Sequence, residues 1–183
     1  MKNKKPTIHQ ITTVASSRLF KVEALDLEFS NGVTAQYERI ASRGTGAVLI
    51  IPILNDDTVL LIREYAAGTD RYELGFPKGK VEKGEESLDA ANREIMEEVG
   101  YESANLTLLK KLSLAPGYMG HITDVILAQD LSERREPGDE PEEIEVVPWK
   151  LSEIDQLIER DDFAEGRSVA ALYLLKNYLD NQK

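Results

Sequence analysis

The hydrophobic positions of this chain recur with two different periods, which predict both strands and helices. Residues 47–54 form one continuous apolar run, which is typical of a strand buried on both faces. Asn55-Asp56-Asp57 then predicts a turn. Shorter apolar stretches predict four further strands, over 59–65, 106–114, 122–128 and 144–149.

The first forty residues predict a separate small element. Residues 1–16 are polar and predict no regular structure. Apolar positions then alternate from Phe20 and change phase at Leu25, which indicates a strand with a bulge. Asn31-Gly32 is a strong hairpin signal, and the return strand continues through Tyr37. We expect this hairpin to cover a small sheet or to pair with another chain.

Three stretches carry a helical period. From Ser87 to Val99 the chain lacks Gly and Pro and is rich in helix formers. Ser87 is the expected N-cap, and Gly100 is the expected left-handed residue at the C-terminus. Amphipathic helices are also predicted over 151–159 and 165–179, so helices should cover both faces of a mixed sheet. The buried face of the first helix is predicted to hold Leu88, Ala91, Ile95 and Val99.

Length and charge narrow the function classes. With 183 residues, the chain is long enough for one domain with a sizeable core. Its 33 acidic residues against 22 Lys and Arg give a net charge of −11, which disfavours nucleic acid and anionic membranes as partners. The charged N-terminus is followed by no apolar segment, and no stretch is long enough to cross a bilayer. Together with the lack of cysteine, these features predict a cytoplasmic protein.

One face of the first helix concentrates negative charge. Glu94, Glu97 and Glu98 stand at i, i+3 and i+4, so they share a face of the helix. The repulsion among three carboxylates needs an offset, and a divalent cation with oxygen ligands provides it. Arg93 can pair with Glu85 and hold the preceding loop to the helix. A merely solvated helix face is the alternative interpretation of the glutamates alone.

The stretch that contains this helix resembles the Nudix box. Gly79 is followed after five residues by Glu85, and after seven more by Arg93-Glu94-Ile95-Met96-Glu97-Glu98-Val99-Gly100. All seven fixed positions of the box match. Tyr101 departs from the family, which usually has an aliphatic residue there.

Membership of the Nudix superfamily would imply both a fold and a reaction. The resemblance implies an α+β fold in which an α/β/α sandwich with a mixed sheet spans residues 45–183. Residues 1–44 would then form an N-terminal antiparallel hairpin outside the minimal domain. The implied reaction is hydrolysis of a nucleoside diphosphate linked to another group.

The resemblance also assigns roles within the box. It implies that Glu94, Glu98 and a backbone carbonyl near Gly79 hold Mg²⁺ or Mn²⁺, with more than one ion bound. Glu97, between them, is a further ligand or holds water, so Glu97 and Glu98 are the implied catalytic residues of the box. Structural roles are implied for Glu85, Arg93 and Gly100.

An acidic string near residue 140 resembles a catalytic loop of the family. ADP-ribose-type members place a catalytic acid in a loop before the last strand, and this chain has Asp139-Glu140-Pro141-Glu142-Glu143 there. On this resemblance Glu140 is the expected general base and Glu142 an accessory metal contact. These members also carry a proline about fifteen residues past the box, which Pro116 matches. A solvated acidic loop remains the alternative for the whole string.

Further segments resemble the Nudix subfamily that acts on ADP-ribose, NADH and diadenosine di- and triphosphates. The segments are Arg63-Glu64-Tyr65, the run from Tyr72 to Gly79, and Leu112 to Pro116. The implied products are AMP and a second phosphate compound. Adenine favours an aromatic face and a diphosphate favours Arg, although each such residue alone also fits plain packing. The candidate substrate-binding positions are Tyr37, Arg39, Arg43, Arg63, Tyr65, Tyr72, Glu73, Pro116 and Tyr118.

Two other functions remain open at this point. A Nudix hydrolase of another nucleotide class, such as modified dNTPs, differs only in its substrate. A non-catalytic nucleotide sensor is disfavoured because the box is complete and the chain is too short for a second domain.

The N-terminal hairpin also predicts a homodimer. Two strands alone are marginal in water, and their edges need covering. The resemblance implies that N-terminal strands mediate dimerisation, so residues 20–40 are expected in the interface. No membrane and no nucleic acid are expected as partners.

Overall fold

The computed structural model describes residues 4–42 and 44–181, which form two compact units. One unit comprises residues 4–42 and 113–121, and the other comprises residues 44–112 and 122–181. The segment 113–121 thus packs with the N-terminal strands.

Three antiparallel strands form the sheet of the first unit. They are β1 (Thr7–Ser16), β2 (Lys21–Glu28) and β3 (Thr34–Ile40), in the order β1-β2-β3. The prediction that residues 1–16 lack regular structure is wrong for β1. This strand is exposed at all ten positions, so its formation depends on pairing with β2 and leaves no burial pattern in the sequence.

The change of phase in β2 has a different cause from the predicted bulge. The register of β2 with β3 runs without a break, and the irregularities lie in the pairing of β1 with β2. Glu23 is buried on the same face as Leu25 and Leu27, and it accepts hydrogen bonds from Lys21 and Arg39. A paired carboxylate thus occupies an inward position that the pattern assigned to an apolar residue. The turn at Asn31-Gly32 is confirmed.

A seven-stranded mixed sheet forms the centre of the second unit. Its main order is β10-β5-β4-β9-β8, with β6 paired to β5 and β7 paired to β4. The pairing of β4 with β9 is parallel, whereas β5 and β7 are antiparallel to β4. The strands are β4 (Ala47–Asn55), β5 (Thr58–Ala66), β6 (Arg71–Gly75), β7 (Lys78–Lys80), β8 (Tyr101–Ser113), β9 (Ile122–Glu133) and β10 (Glu145–Lys150).

Helices cover both faces of this sheet, as predicted. In β4, Val48 and Ile50 pack with α1 (Ser87–Glu98), whereas Leu49 and Ile51 pack with α2 (Gly166–Asp180). The predicted helix over 151–159 is present as a 3₁₀ helix, Leu151–Glu159. No helix in the described part of the chain is long and apolar enough to cross a membrane. The α/β/α sandwich is confirmed.

The start of α1 differs from the prediction. The N-cap is Glu86, whose side chain makes no capping bond, and Ser87 is the first helical residue. The Ser87 hydroxyl instead donates to Asp124 on β9 at 2.7 Å. Leu88 is 41% exposed, so the prediction of its burial is wrong. At the other end, Gly100 adopts φ +83 and donates to the carbonyl of Ile95, which confirms the C-terminal prediction.

Candidate active site

A close approach between β7 and α1 forms one wall of a cleft. Gly79 lies in the middle of β7, which pairs with β4, while Glu94 lies on the face of α1 that contacts β7. A Cβ at position 79 would overlap the carboxyl group of Glu94, so glycine is what lets that carboxyl group lie against β7. Glu94 is buried as a result.

Glu98 lies one turn further along α1 and is more deeply enclosed. Its side chain accepts a hydrogen bond from the backbone N–H of Lys78 at 3.0 Å. Burial raises the pKa of Glu98 to about 8, and the nearby Lys78 only partly opposes this shift. The residue is therefore a desolvated carboxyl group whose ionised form lacks a direct side-chain counter-charge among the described residues.

Arg93 organises the remaining acids of the box. Its guanidinium donates to Glu85 at 3.0 and 3.2 Å, to Glu94 at 2.8 Å and to Glu97 at 3.0 Å. It also donates to the carbonyl of Lys80 at 3.0 Å, which fixes the loop to the helix. These contacts raise the pKa of Arg93 above its usual value.

This arrangement modifies the expectation that a cation alone offsets the acidic face. Arg93 already offsets Glu94 and Glu97, and among the described residues no three acidic or histidine side chains converge as a ready-made cation shell. Burial nevertheless raises the pKa of Glu94, against the effect of Arg93. Glu94 and Glu98 offer two desolvated carboxylates, and their oxygen atoms suit a hard divalent cation.

The acidic loop that precedes β10 reaches this cleft through Glu140. Together with Pro137, Gly138 and Asp139, Glu140 lines the cleft, and its charge contributes to the raised pKa of Glu94. A Cβ at Gly138 would overlap the carboxylate of Glu140 and displace it from its observed position. The cleft encloses about 480 Å³.

Glu142, the predicted accessory metal contact, does not line the cleft of Glu94 and Glu98, but it lines a third cavity together with Glu97. It also lines a neighbouring second cavity of about 400 Å³, where its carboxylate accepts a hydrogen bond from the Tyr72 hydroxyl at 2.7 Å. The cleft and this second cavity share Glu64 and Glu140. A ligand can therefore extend from the acidic cleft into the second cavity.

Tyr65 and Tyr72 form the aromatic wall of the second cavity. Their rings meet edge to face with centroids 5.7 Å apart, and both side chains are about half exposed. Arg63 also lines this cavity, but its guanidinium pairs with Asp162 at 2.8 Å and with Glu145 at 3.0 Å. The aromatic positions are thus open to a ligand, whereas Arg63 is already paired.

The other predicted substrate-binding residues belong to the first unit, are already paired, or lie outside the described residues. Glu73 accepts hydrogen bonds from Arg71 and Thr69. Tyr37, Arg39, Pro116 and Tyr118 belong to the first unit, in which Arg39 pairs with Glu23. Arg43 lies outside the described residues.

The residues of the cleft that the sequence prediction did not assign include an ion pair. Lys78 and Glu64 form this ion pair of 2.5 Å within the cleft. A lysine directly before the glycine of the box was the signal available for Lys78. Glu64 stood within the segment Arg63-Glu64-Tyr65 that resembles the subfamily, but no role was predicted for it.

Comparisons with known proteins agree with this geometry. The model of the NUDIX domain family matches residues 44–172, and that of the NudE-type Nudix hydrolase N-terminal domain matches residues 6–39. Over 178 residues, the chain is 51% identical to the ADP compounds hydrolase NudE of Escherichia coli (strain K12), with 97% of this chain and 95% of that protein covered.

Two further comparisons extend this similarity. Over 180 residues, the chain is 31% identical to the ADP-ribose pyrophosphatase of Bacillus subtilis (strain 168), with 93% and 96% covered. A crystal structure of an ADP compounds hydrolase matches with a TM-score of 0.92 and 50% identity, covering 100% of this chain and 98% of that chain.

Proposed function

Because the chain belongs to the Nudix hydrolases and is of their NudE type, we propose that its cleft hydrolyses the diphosphate of ADP compounds. The substrates are ADP-ribose, NADH and diadenosine di- and triphosphates, and the products are AMP and the second phosphate compound. The observation that carries the proposal is that two buried glutamates line the same cleft. Glu94 lies directly against Gly79, and Glu98 is beside it one turn along α1.

The glutamates of α1 are suited to holding divalent cations. Glu94, Glu98 and a backbone carbonyl near Gly79 would hold Mg²⁺ or Mn²⁺, with Glu97 as a further ligand or as a holder of water. Bound cations supply neutralisation of phosphate charge and lower the pKa of a bound water. Because burial disfavours the ionised carboxylates of Glu94 and Glu98, a bound cation would stabilise them.

Glu140 acts as the general base in this proposal. It takes a proton from water as the water oxygen forms a bond to phosphorus. The bridging P–O bond breaks at the same time, and its electron pair leaves on the oxygen of the other phosphate. Glu140 suits the role because it lines the cleft together with Glu94 and Glu98, whereas its neighbours Glu142 and Glu143 do not line that cleft.

The second cavity suits the recognition of an aromatic base. Tyr65 and Tyr72 offer ring faces and edges, and Ile144 adds apolar surface. The two cavities adjoin at Glu64 and Glu140. A nucleoside in the second cavity can therefore remain linked to a diphosphate in the cleft.

The first unit supports a homodimer. Cross-strand pairing places Ile8, Ile11 and Tyr37 on the face that carries Leu25 and Leu27. The first three are about half exposed, which leaves a partly uncovered apolar face that a second copy can bury.

A substrate panel with Mg²⁺ tests the activity. Hydrolysis of ADP-ribose, NADH and diadenosine triphosphate to AMP is expected, with little turnover of modified dNTPs. Glu98→Gln is the matched control, because its amide keeps an acceptor for the Lys78 N–H while it removes the charge. Preference for a modified dNTP, or equal turnover by the Glu98→Gln variant, would contradict the proposal.

A further inference from the structure

The cleft is strongly acidic, yet the proposed substrate carries a diphosphate. Among the described residues that line it, seven are Asp or Glu and three are Lys or Arg. Metal ions neutralise some of this charge, but a polyanion in a cleft of carboxylates also needs a cation of the protein that is free to approach it.

The guanidinium of Arg93 does not meet this need. Its contacts to Glu85, Glu94, Glu97 and the Lys80 carbonyl use all three of its nitrogens. Moving Arg93 onto a phosphate would release the loop from the helix, so this residue is a structural clamp.

Lys78 occupies a better position for contact with phosphate. Its backbone N–H donates to Glu98 at 3.0 Å, so its main chain is tied to the most buried carboxyl group of the cleft. Its Nζ pairs with Glu64 at 2.5 Å, and the Lys78 side chain is about a quarter exposed. Among the described residues, only Glu64 accepts a hydrogen bond from the ammonium group, so two of its three donors remain for a ligand.

Glu64 lies at the junction of the two cavities. It lines both the acidic cleft and the cavity that contains Tyr65 and Tyr72. The Nζ of Lys78, held on Glu64, is therefore beside the path that a diphosphate takes between the metal-binding glutamates and a nucleoside in the second cavity. A surface ion pair without such a location would be of little consequence.

We propose that Lys78 binds a non-bridging phosphate oxygen of the substrate and that Glu64 positions its ammonium group. This inference rests on the proposed function for the identity of the substrate, but the binding of a diphosphate group can be measured without it. Glu64 acts through Lys78 and is a positioning residue, whereas Lys78 touches the substrate.

The test compares Lys78→Met with Lys83→Met. Both variants lose one lysine charge, but Lys83 is exposed and does not line the cleft. Lys78→Met keeps the backbone bond to Glu98. Loss of a charge-assisted hydrogen bond should lower kcat/KM for ADP-ribose by about 10- to 100-fold. Lys83→Met should stay within about threefold of the wild type, because long-range surface charge is screened.

Calorimetric titration with inorganic pyrophosphate in Mg²⁺ provides a readout that does not depend on turnover. Lys78→Met should weaken its binding about tenfold or more, and Lys78→Arg, which keeps the charge, should weaken it less. If Lys78→Met does not fold, Lys78→Gln replaces it in both measurements. Glu64→Gln should raise KM for ADP-ribose when Lys78 is present. It should have little effect in the Lys78→Met background, because Glu64 acts only by positioning the ammonium group of Lys78.

The outcomes separate this inference from the proposed function. If the wild type cleaves ADP-ribose and Lys78→Met matches Lys83→Met in both measurements, the role of Lys78 is wrong and the function stands. If the wild type cleaves no ADP compound but Lys78→Met still loses pyrophosphate binding, the function is wrong and the role of Lys78 stands. Failure of the wild type to bind pyrophosphate overturns the role of Lys78.

Discussion

The carboxyl group of Glu94 occupies the space that a Cβ at Gly79 would need. The two residues lie on different elements, and β7 is held by its pairing with β4, so the side chain of Glu94 is the part that would have to move. This relationship links the first glycine of the Nudix box to a glutamate of the helix by direct steric contact.

Gly79→Ala should therefore displace Glu94 and reduce ADP-ribose hydrolysis by about 100-fold or more, as expected when a proposed metal ligand is misplaced. Gly166→Ala is the control, because a Cβ there meets nothing within 4 Å. Initial rates and thermal melts of both variants measure the effect. Full activity in Gly79→Ala would show that Glu94 is not required in its observed position.

Glu140→Gln should lower kcat strongly with little change in KM, because a general base acts in the transition state. The expected loss is about 100- to 10,000-fold. Glu142→Gln should have a small effect, since its carboxylate lines the second cavity and contacts Tyr72. Steady-state kinetics with ADP-ribose distinguish the two. A severe effect of Glu142→Gln together with a mild effect of Glu140→Gln would show that the general base is not Glu140.

The raised pKa of Glu98 predicts a pH dependence in the metal-free protein. Its pKa is about 8 in the folded chain against an ordinary 4.5, so between these values the unfolded chain binds fewer protons than the folded chain. The free energy of unfolding should fall as pH rises through this window. Urea denaturation in EDTA at pH 5 and pH 8 measures this fall, and Glu98→Gln should reduce it.

Uptake of Mg²⁺ should show the opposite trend, because the ligand is the ionised carboxylate. Affinity should rise with pH by up to about tenfold per unit below pH 8, and binding should release a proton. Calorimetry in two buffers with different ionisation enthalpies measures this proton. An affinity that is independent of pH between 6 and 8 would contradict the assignment of Glu98 as a ligand.

The exposed apolar face of the first unit predicts that Ile11→Lys breaks the homodimer. Ile11 lies opposite Leu25 and is 49% exposed, so a lysine there should cost the monomer little and the interface much. Thr12→Lys on the other face of β1 is the control. Sedimentation velocity at micromolar concentration measures the change. A wild-type chain that sediments as a monomer would refute the dimer.

The sequence predicted the second unit well because its elements carry strong periods. The run over 47–54 could only be a doubly buried strand, and α1 combined an apolar stripe with a helix end at Gly100. The family resemblance added the roles of the residues in the Nudix box. Burial of Glu94 and Glu98 followed from neither, since it depends on how closely β7 approaches the helix.

The failures have a common physical cause. β1 is formed by pairing with β2 and not by burial of its own side chains, so its sequence resembles a polar segment. The acid Glu23 faces inward because Lys21 and Arg39 neutralise it across two strands. The role of Lys78 was not predicted for a related reason, because its partner Glu64 lies on a different strand. Each case depends on a pairing between strands that no local period encodes.

The parallel pairing of β4 with β9 has a consequence for the order of folding. Ala47 lies opposite Thr123, so this ladder closes a loop that contains both β7 and α1. Hairpins such as β4-β5 and β5-β6 close over short distances and can form early, whereas the parallel ladder forms slowly because of its long loop. Nascent chains that end before β9 therefore lack the strand that pairs with β4 from Ala47 to Pro52, and their central sheet stays incomplete.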